Sequence, residues 1–115
     1  MAKLTRTVKG DMDQVIRNIT DEILGGSASA SLEESTDFSH GSARCSVRVF
    51  ERYSMIGSNR VSLNLTFFQS DDSPIYISAV TSGGSQAVFV KMNTWGEEAF
   101  LEKLQNIIDR LYPSA

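Results

Sequence analysis

The residues that could do chemistry are few. The chain carries one histidine, His40, and one cysteine, Cys45. Histidine is the standard side chain whose ordinary pKa suits acid–base work near neutrality. With Asp37 and several serines nearby in sequence, His40 would serve a Ser-His-Asp hydrolase. That chemistry needs a serine on a strained nucleophile elbow, and the sequence has no Gly-x-Ser-x-Gly. His40 therefore reads as an exposed loop histidine before Gly41. Cys45 stands between Ala43 and Val47 in an alternating run, which predicts an inward thiol acting as a small apolar residue. One thiol forms no internal disulfide, and one Cys with one His does not make a tetrahedral zinc site.

Asp71-Asp72 could hold a hard cation, but two carboxylates before Ser73-Pro74 read better as turn chemistry. Gly83-Gly84-Ser85 resembles a phosphate-cradling loop only in its glycines, since it lacks a P-loop lysine and opens onto no helix. Gly25-Gly26-Ser27 follows a predicted helix, which is the wrong end for an anion.

The most informative polar feature is the series Arg44, Arg48 and Arg52 with Phe50 among them. Even-numbered residues of one strand point to one side. The alternation assigns them to the outer face of a sheet, together with Tyr76, Arg60 and Phe68. Arginines and aromatics on a sheet face suit three roles. They can pair with phosphates and stack on bases of a single strand. They can form a dimer interface, where Arg, Tyr and Phe are enriched. They can also be a solvated surface paired with Glu33, Glu34 or Glu51. The net charge of −3 ranks nucleic acid behind the other two.

Positioning these residues requires a small set of elements. Residues 3–9 predict a strand, broken by Gly10. Asp11 is an N-cap, with Gln14 at the capping-box position. A helix over 12–24 carries Met12, Val15, Ile16, Ile19 and Ile23 on one stripe. The alternation of Ala28, Ala30 and Leu32 with serines predicts a second strand, followed by a loop over 35–41. Three stronger strands follow, over 42–54, 60–68 and 75–82. Their expected inward sets are Ala43, Cys45, Val47 and Val49, then Val61, Leu63, Leu65 and Phe67, then Ile75, Ile77 and Ala79. Residues 86–92 fit either a further strand or a connector. Thr94, with Glu97 three residues on, predicts the cap of a last helix over 95–112, whose stripe holds Phe100, Leu101, Leu104, Ile107, Ile108 and Leu111.

At 115 residues the chain has the size of one α+β domain, 1–115, with roughly two thirds of its unfolded surface buried on folding. That size excludes a multidomain enzyme. No apolar run approaches the roughly 20 residues of a membrane helix, and the N-terminus has no signal-peptide core, so the expected location is cytoplasmic. The order is β-α-β(4–5)-α, an antiparallel sheet with both helices on one face. This order resembles the TATA-binding-protein-like arrangement and a minimal helix-grip fold of the START and pollen-allergen kind. That resemblance implies a long C-terminal helix lying in a curved sheet, with room for an apolar ligand between them. The run Gly-Ser-Ala-Arg-Cys at 41–45 and the closing helix resemble a family of small bacterial proteins classed only as a domain of unknown function.

These observations predict a non-enzymatic binding domain that needs no cofactor or metal. A small apolar ligand between sheet and last helix is the first expectation. The alternative is a protein-interaction or homodimerisation module using the outer sheet face, with Arg44, Arg48, Phe50, Arg52 and Tyr76 as its residues.

Overall fold

A computed structural model describes residues 1–27, 29–54, 59–83 and 90–113. The elements are β1 (Ala2–Val8), α1 (Met12–Gly25), β2 (Ser31–His40), β3 (Ala43–Ser54), β4 (Asn59–Gln69), β5 (Ile75–Gly83) and α2 (Val90–Leu111). The strands form one antiparallel sheet of order β1-β5-β4-β3-β2. The last four are a meander, and β1 closes the sheet beside β5.

Both helices cover the same face. The stripe of α1 (Met12, Val15, Ile16, Ile19, Ile23) and that of α2 (Phe100, Leu104, Ile107, Ile108) join Val61, Leu63, Leu65, Phe67, Ile75, Ile77 and Ala79 in one apolar cluster. Burial of these side chains is the main force holding the layers together, at about 25 cal/mol per Å². Helix α2 lies over β1, β5 and β4, and α1 packs beside it. The Asp11 side chain caps α1 by accepting from the Gln14 N–H at 3.0 Å. At the other end, Lys103 of α2 donates to the Gly26 carbonyl and so places a cation at the negative end of α1.

The boundaries of β2 and α2 differ from expectation. Strand β2 covers Ser31–His40, so 35–40 is strand rather than loop. Its residues from Leu32 onward are exposed on both faces, and no apolar alternation was there to mark it. A two-residue turn, Gly41-Ser42, joins it to β3. Only Gly41 has positive φ, +59°, the pattern of a type II′ hairpin turn. Helix α2 starts at Val90, which puts Thr94 inside the helix and not at its cap. Of the ambiguous segment 86–92, residues 90–92 are helical and 86–89 lie outside the described residues, as does Ala28.

The largest difference concerns β3. Phe50 is 0% exposed and belongs to the core. Its cross-strand neighbour is Leu63, and Arg52 and Arg48 stand opposite Val61 and Leu65, all three on the helix-covered face. Arg44, Ser46, Arg48, Phe50 and Arg52 therefore point toward the helices, while Cys45, Val47 and Val49 point away. The expected outer-face role for Arg44, Arg48, Phe50 and Arg52 is corrected by this register, and so is the inward thiol of Cys45. Pairing decides the matter: neighbours directly opposite in a ladder share a face, and β4 cannot turn Leu63 and Leu65 outward without exposing the core.

Candidate functional site

The inward arginines of β3 are structural. Arg44 donates to Asp13 of α1 at 2.6 Å, and the carboxylate raises the arginine pKa above its ordinary value. Arg48 pairs with Asp37 of β2 at 3.0 Å and donates to the Val47 carbonyl. A hydrogen bond from the Ser46 hydroxyl, followed by Arg48, holds the Asp37 carboxyl below its usual pKa. Arg52 lies over the Phe100 ring, 4.6 Å from its centroid, and burial lowers its pKa. Of these arginines, Arg48 lines a cleft of about 360 Å³ against α1, together with Asp13, Arg17 and Asp21. Charges of both signs alternate there and largely neutralise one another.

His40 is exposed at the β2–β3 turn, as the sequence suggested. Asp37 stands opposite Ser46 on the helix side of the sheet, whereas His40 belongs with Phe38 and Thr36 on the other side, so the register separates the two. Asp71 accepts from the Ser42 hydroxyl at 2.5 Å and adopts φ +51°. It thereby ties the β2–β3 turn to the β4–β5 turn. Asp is one of the few non-glycine residues that tolerates this conformation. Among the described residues no group of three or more His, Cys, Asp or Glu is arranged to hold a metal.

The surface with unspent apolar character is the face opposite the helices. Register places Phe38, Cys45, Phe68, Tyr76 and Thr7 side by side in one row across all five strands. Phe38 is 63% exposed, Tyr76 51% and Phe68 41%. The next row is Thr36, Val47, Thr66, Ser78 and Thr5, and the one after it Glu34, Val49, Asn64, Val80 and Lys3. A shallow concavity of about 510 Å³ opens on this face between Phe68, Tyr76, Thr66, Ser78 and the threonines of β1. Tyr76 was expected outside and is there. Phe38, Cys45, Val47 and Val49 were missed as members of this face. The signal for them lay in the ladder: once Phe68 is outward, its neighbour Cys45 must be too.

The architecture is thus an α+β layer pair, one sheet face packed under two helices and the other open and partly aromatic. The chain belongs to a family of unknown function (DUF6054), whose description covers residues 1–112. Comparison with curated proteins and with solved structures found no match. Among the described residues, no helix is long and apolar enough to cross a membrane.

Proposed function

We propose that this chain is a non-enzymatic binding domain that works by docking a protein surface on its open sheet face. The observation that carries the reading is the row Phe38, Cys45, Phe68 and Tyr76, continued by Val47, Val49 and Val80, on a sheet face that neither helix touches. Contiguous exposed apolar surface of this kind marks interaction sites more often than solvent-facing skin. Aromatic residues are also the side chains that dominate interface cores.

The displaced titratable groups point the same way. Asp37, Arg44 and Arg52 are engaged in pairs or packing that hold the fold: Arg44 with Asp13, Asp37 with Arg48, and Arg52 on the Phe100 ring. An apolar ligand between sheet and α2 is the weaker reading, because Phe50, Phe67, Phe100 and Leu104 occupy that layer. Single-stranded nucleic acid is weaker still. The charged residues that the strand registers place on the open face are Lys3 and Arg60 against Glu34 and Glu51, and Arg60 is paired with Glu51 at 3.3 Å. Such a face offers phosphates no net attraction. A cytoplasmic location and a bacterial source go with this reading, supported by the free thiol of Cys45 and by the resemblance noted above.

The test is the pair Phe68→Ser and Tyr76→Ser, followed by thermal melting and by sedimentation velocity. Both side chains are exposed, so the double variant should melt within about 5 °C of the parent. It should lose whatever association the parent displays. A variant that unfolds, or that associates as the parent does, contradicts the reading.

A further inference from the structure

We infer that the occupant of the open face is a second copy of this chain, packed sheet on sheet about a two-fold axis running along β4. The inference rests on the docking role proposed for that face and adds the identity and arrangement of the partner.

Lys3 on edge strand β1 and Glu34 on the opposite edge strand β2 end the same register row, Lys3–Val80–Asn64–Val49–Glu34. A two-fold axis parallel to the strands exchanges the two edges of the sheet and keeps each row in place. It therefore sets Lys3 over the partner's Glu34, and by symmetry Glu34 over the partner's Lys3. The same operation places Val80 over the partner's Val49, Phe68 over the partner's Phe68 and Asn64 over the partner's Asn64. Val80 meets the partner's Val49 and Phe68 meets the partner's Phe68, two amides face each other, Phe38 and Val47 fall over the partner's Thr7 and the partner's Ser78, and the charges lie toward the ends of the face, where Arg60, paired with its own Glu51, meets the partner's Arg60. An axis across the strands would instead stack β1 on β1 and β2 on β2, so that neither Lys3 nor Glu34 meets the opposite charge. Aligned sheets cross at about 30°, so these pairings hold as neighbourhoods and not as fixed distances.

Area supports the same occupant. Five strands spaced by about 4.8 Å, over the seven residues of β1 at about 3.3 Å each, make a face of roughly 24 by 23 Å. Two copies then bury on the order of 1,100 Å², above the roughly 1,000 Å² that separates specific interfaces from incidental ones. The longer β3 and β4 add to this. Edge-to-edge pairing through β2 is disfavoured, because that strand carries Glu33, Glu34 and Asp37 and a register shift between Leu32 and Glu34. Charges and bulges are how edge strands resist added strands.

The test is charge exchange, read by sedimentation equilibrium of the full chain. Lys3 and Glu34 are exposed, so Lys3→Glu, Glu34→Lys and the double exchange should all keep the parent's circular dichroism and melting. The parent should be a dimer. Each single exchange should raise the dissociation constant about tenfold, and the double exchange should return it to within about threefold of the parent. A parent that stays monomeric at every concentration overturns the second copy while leaving the docking face standing. A dimer that Phe68→Ser with Tyr76→Ser dissociates, but that ignores the charge exchanges, overturns the two-fold arrangement alone. A dimer indifferent to both sets of changes overturns the inference and the docking face together.

Discussion

The guanidinium of Arg52 stands 4.6 Å from the centroid of the Phe100 ring, joining β3 to α2 across the layer boundary. A strand whose alternate residues are Arg44, Arg48 and Arg52 can present them toward the helices because each finds a compensating group there: Asp13, Asp37 and the ring of Phe100. Phe50, between Arg48 and Arg52, enters the apolar core, and Ser46 on the same side of β3 is buried too. The heads of Arg44 and Arg48 are paired with carboxylates and that of Arg52 stacks on Phe100, while long aliphatic stems of this kind can cover apolar surface.

The first prediction concerns that contact. Phe100→Ala removes a fully buried ring and should cost about 3–5 kcal/mol. Arg52→Ala should cost less. Combined in a double-mutant cycle by urea denaturation, the two should show a coupling of about 0.5–2 kcal/mol. Additive losses would mean that the stacking contributes nothing beyond packing.

Leu104→Ala should cost about 2–5 kcal/mol in the same assay, since Leu104 is central on the α2 stripe and 1% exposed. A loss under about 0.5 kcal/mol would place the helix on a different face.

Asp11→Ala should remove about 1 kcal/mol by leaving the Gln14 N–H without its acceptor. Asp11→Asn should recover most of it, because an amide oxygen accepts the same bond. An unchanged midpoint for the alanine variant would exclude the cap.

Asp37 supplies a pH signature. The Ser46 hydroxyl and Arg48 depress its pKa in the folded chain, so the unfolded state binds the proton more readily. Its contribution to stability is present above the unfolded carboxyl pKa of about 4 and is lost as pH falls through the lower folded value. Asp37→Asn should therefore flatten the loss of stability below about pH 4, measured by urea denaturation across that range. An acid limb of the same steepness in the variant would show that the carboxyl does not couple to folding.

Much of the helix-covered layer was legible in the sequence because its signals are redundant. The α1 stripe, its Asp11 cap and the alternation of β4 and β5 each announce one face unambiguously. Strand β3 does not. Its odd set, Ala43, Cys45, Val47 and Val49, is apolar, while its even set holds the bulkier Phe50 among arginines. Hydropathy alone selects the wrong set. The parity of the β3–β4 connection carries the missing information: Ser54 pairs with Asn59, so residue numbers across this ladder add to an odd number, and inward Leu63 demands inward Phe50. Starting β4 one residue later, at Arg60, reverses that parity and turns β3 over. The site was hidden by the same slip, since Cys45, Val47 and Val49 form its floor. Strand β2 was illegible for a different reason: wet on both faces, it is held by its ladder to β3 and by the turn at Gly41, not by burial.

The most direct test of the central claim, that the open face is the surface which becomes covered, is the rate at which iodoacetamide alkylates Cys45. This thiol lies in the aromatic row beside Phe68 and, in the two-fold arrangement, beneath the partner's Tyr76. It is the single cysteine of the chain, so the reaction has one product. The rate should fall as chain concentration is raised, in step with the fraction of monomer measured by sedimentation. The Phe68→Ser, Tyr76→Ser variant should hold the monomer rate throughout. A rate that stays constant while the mass of the parent doubles would contradict the account, because the copies would then meet through some other surface.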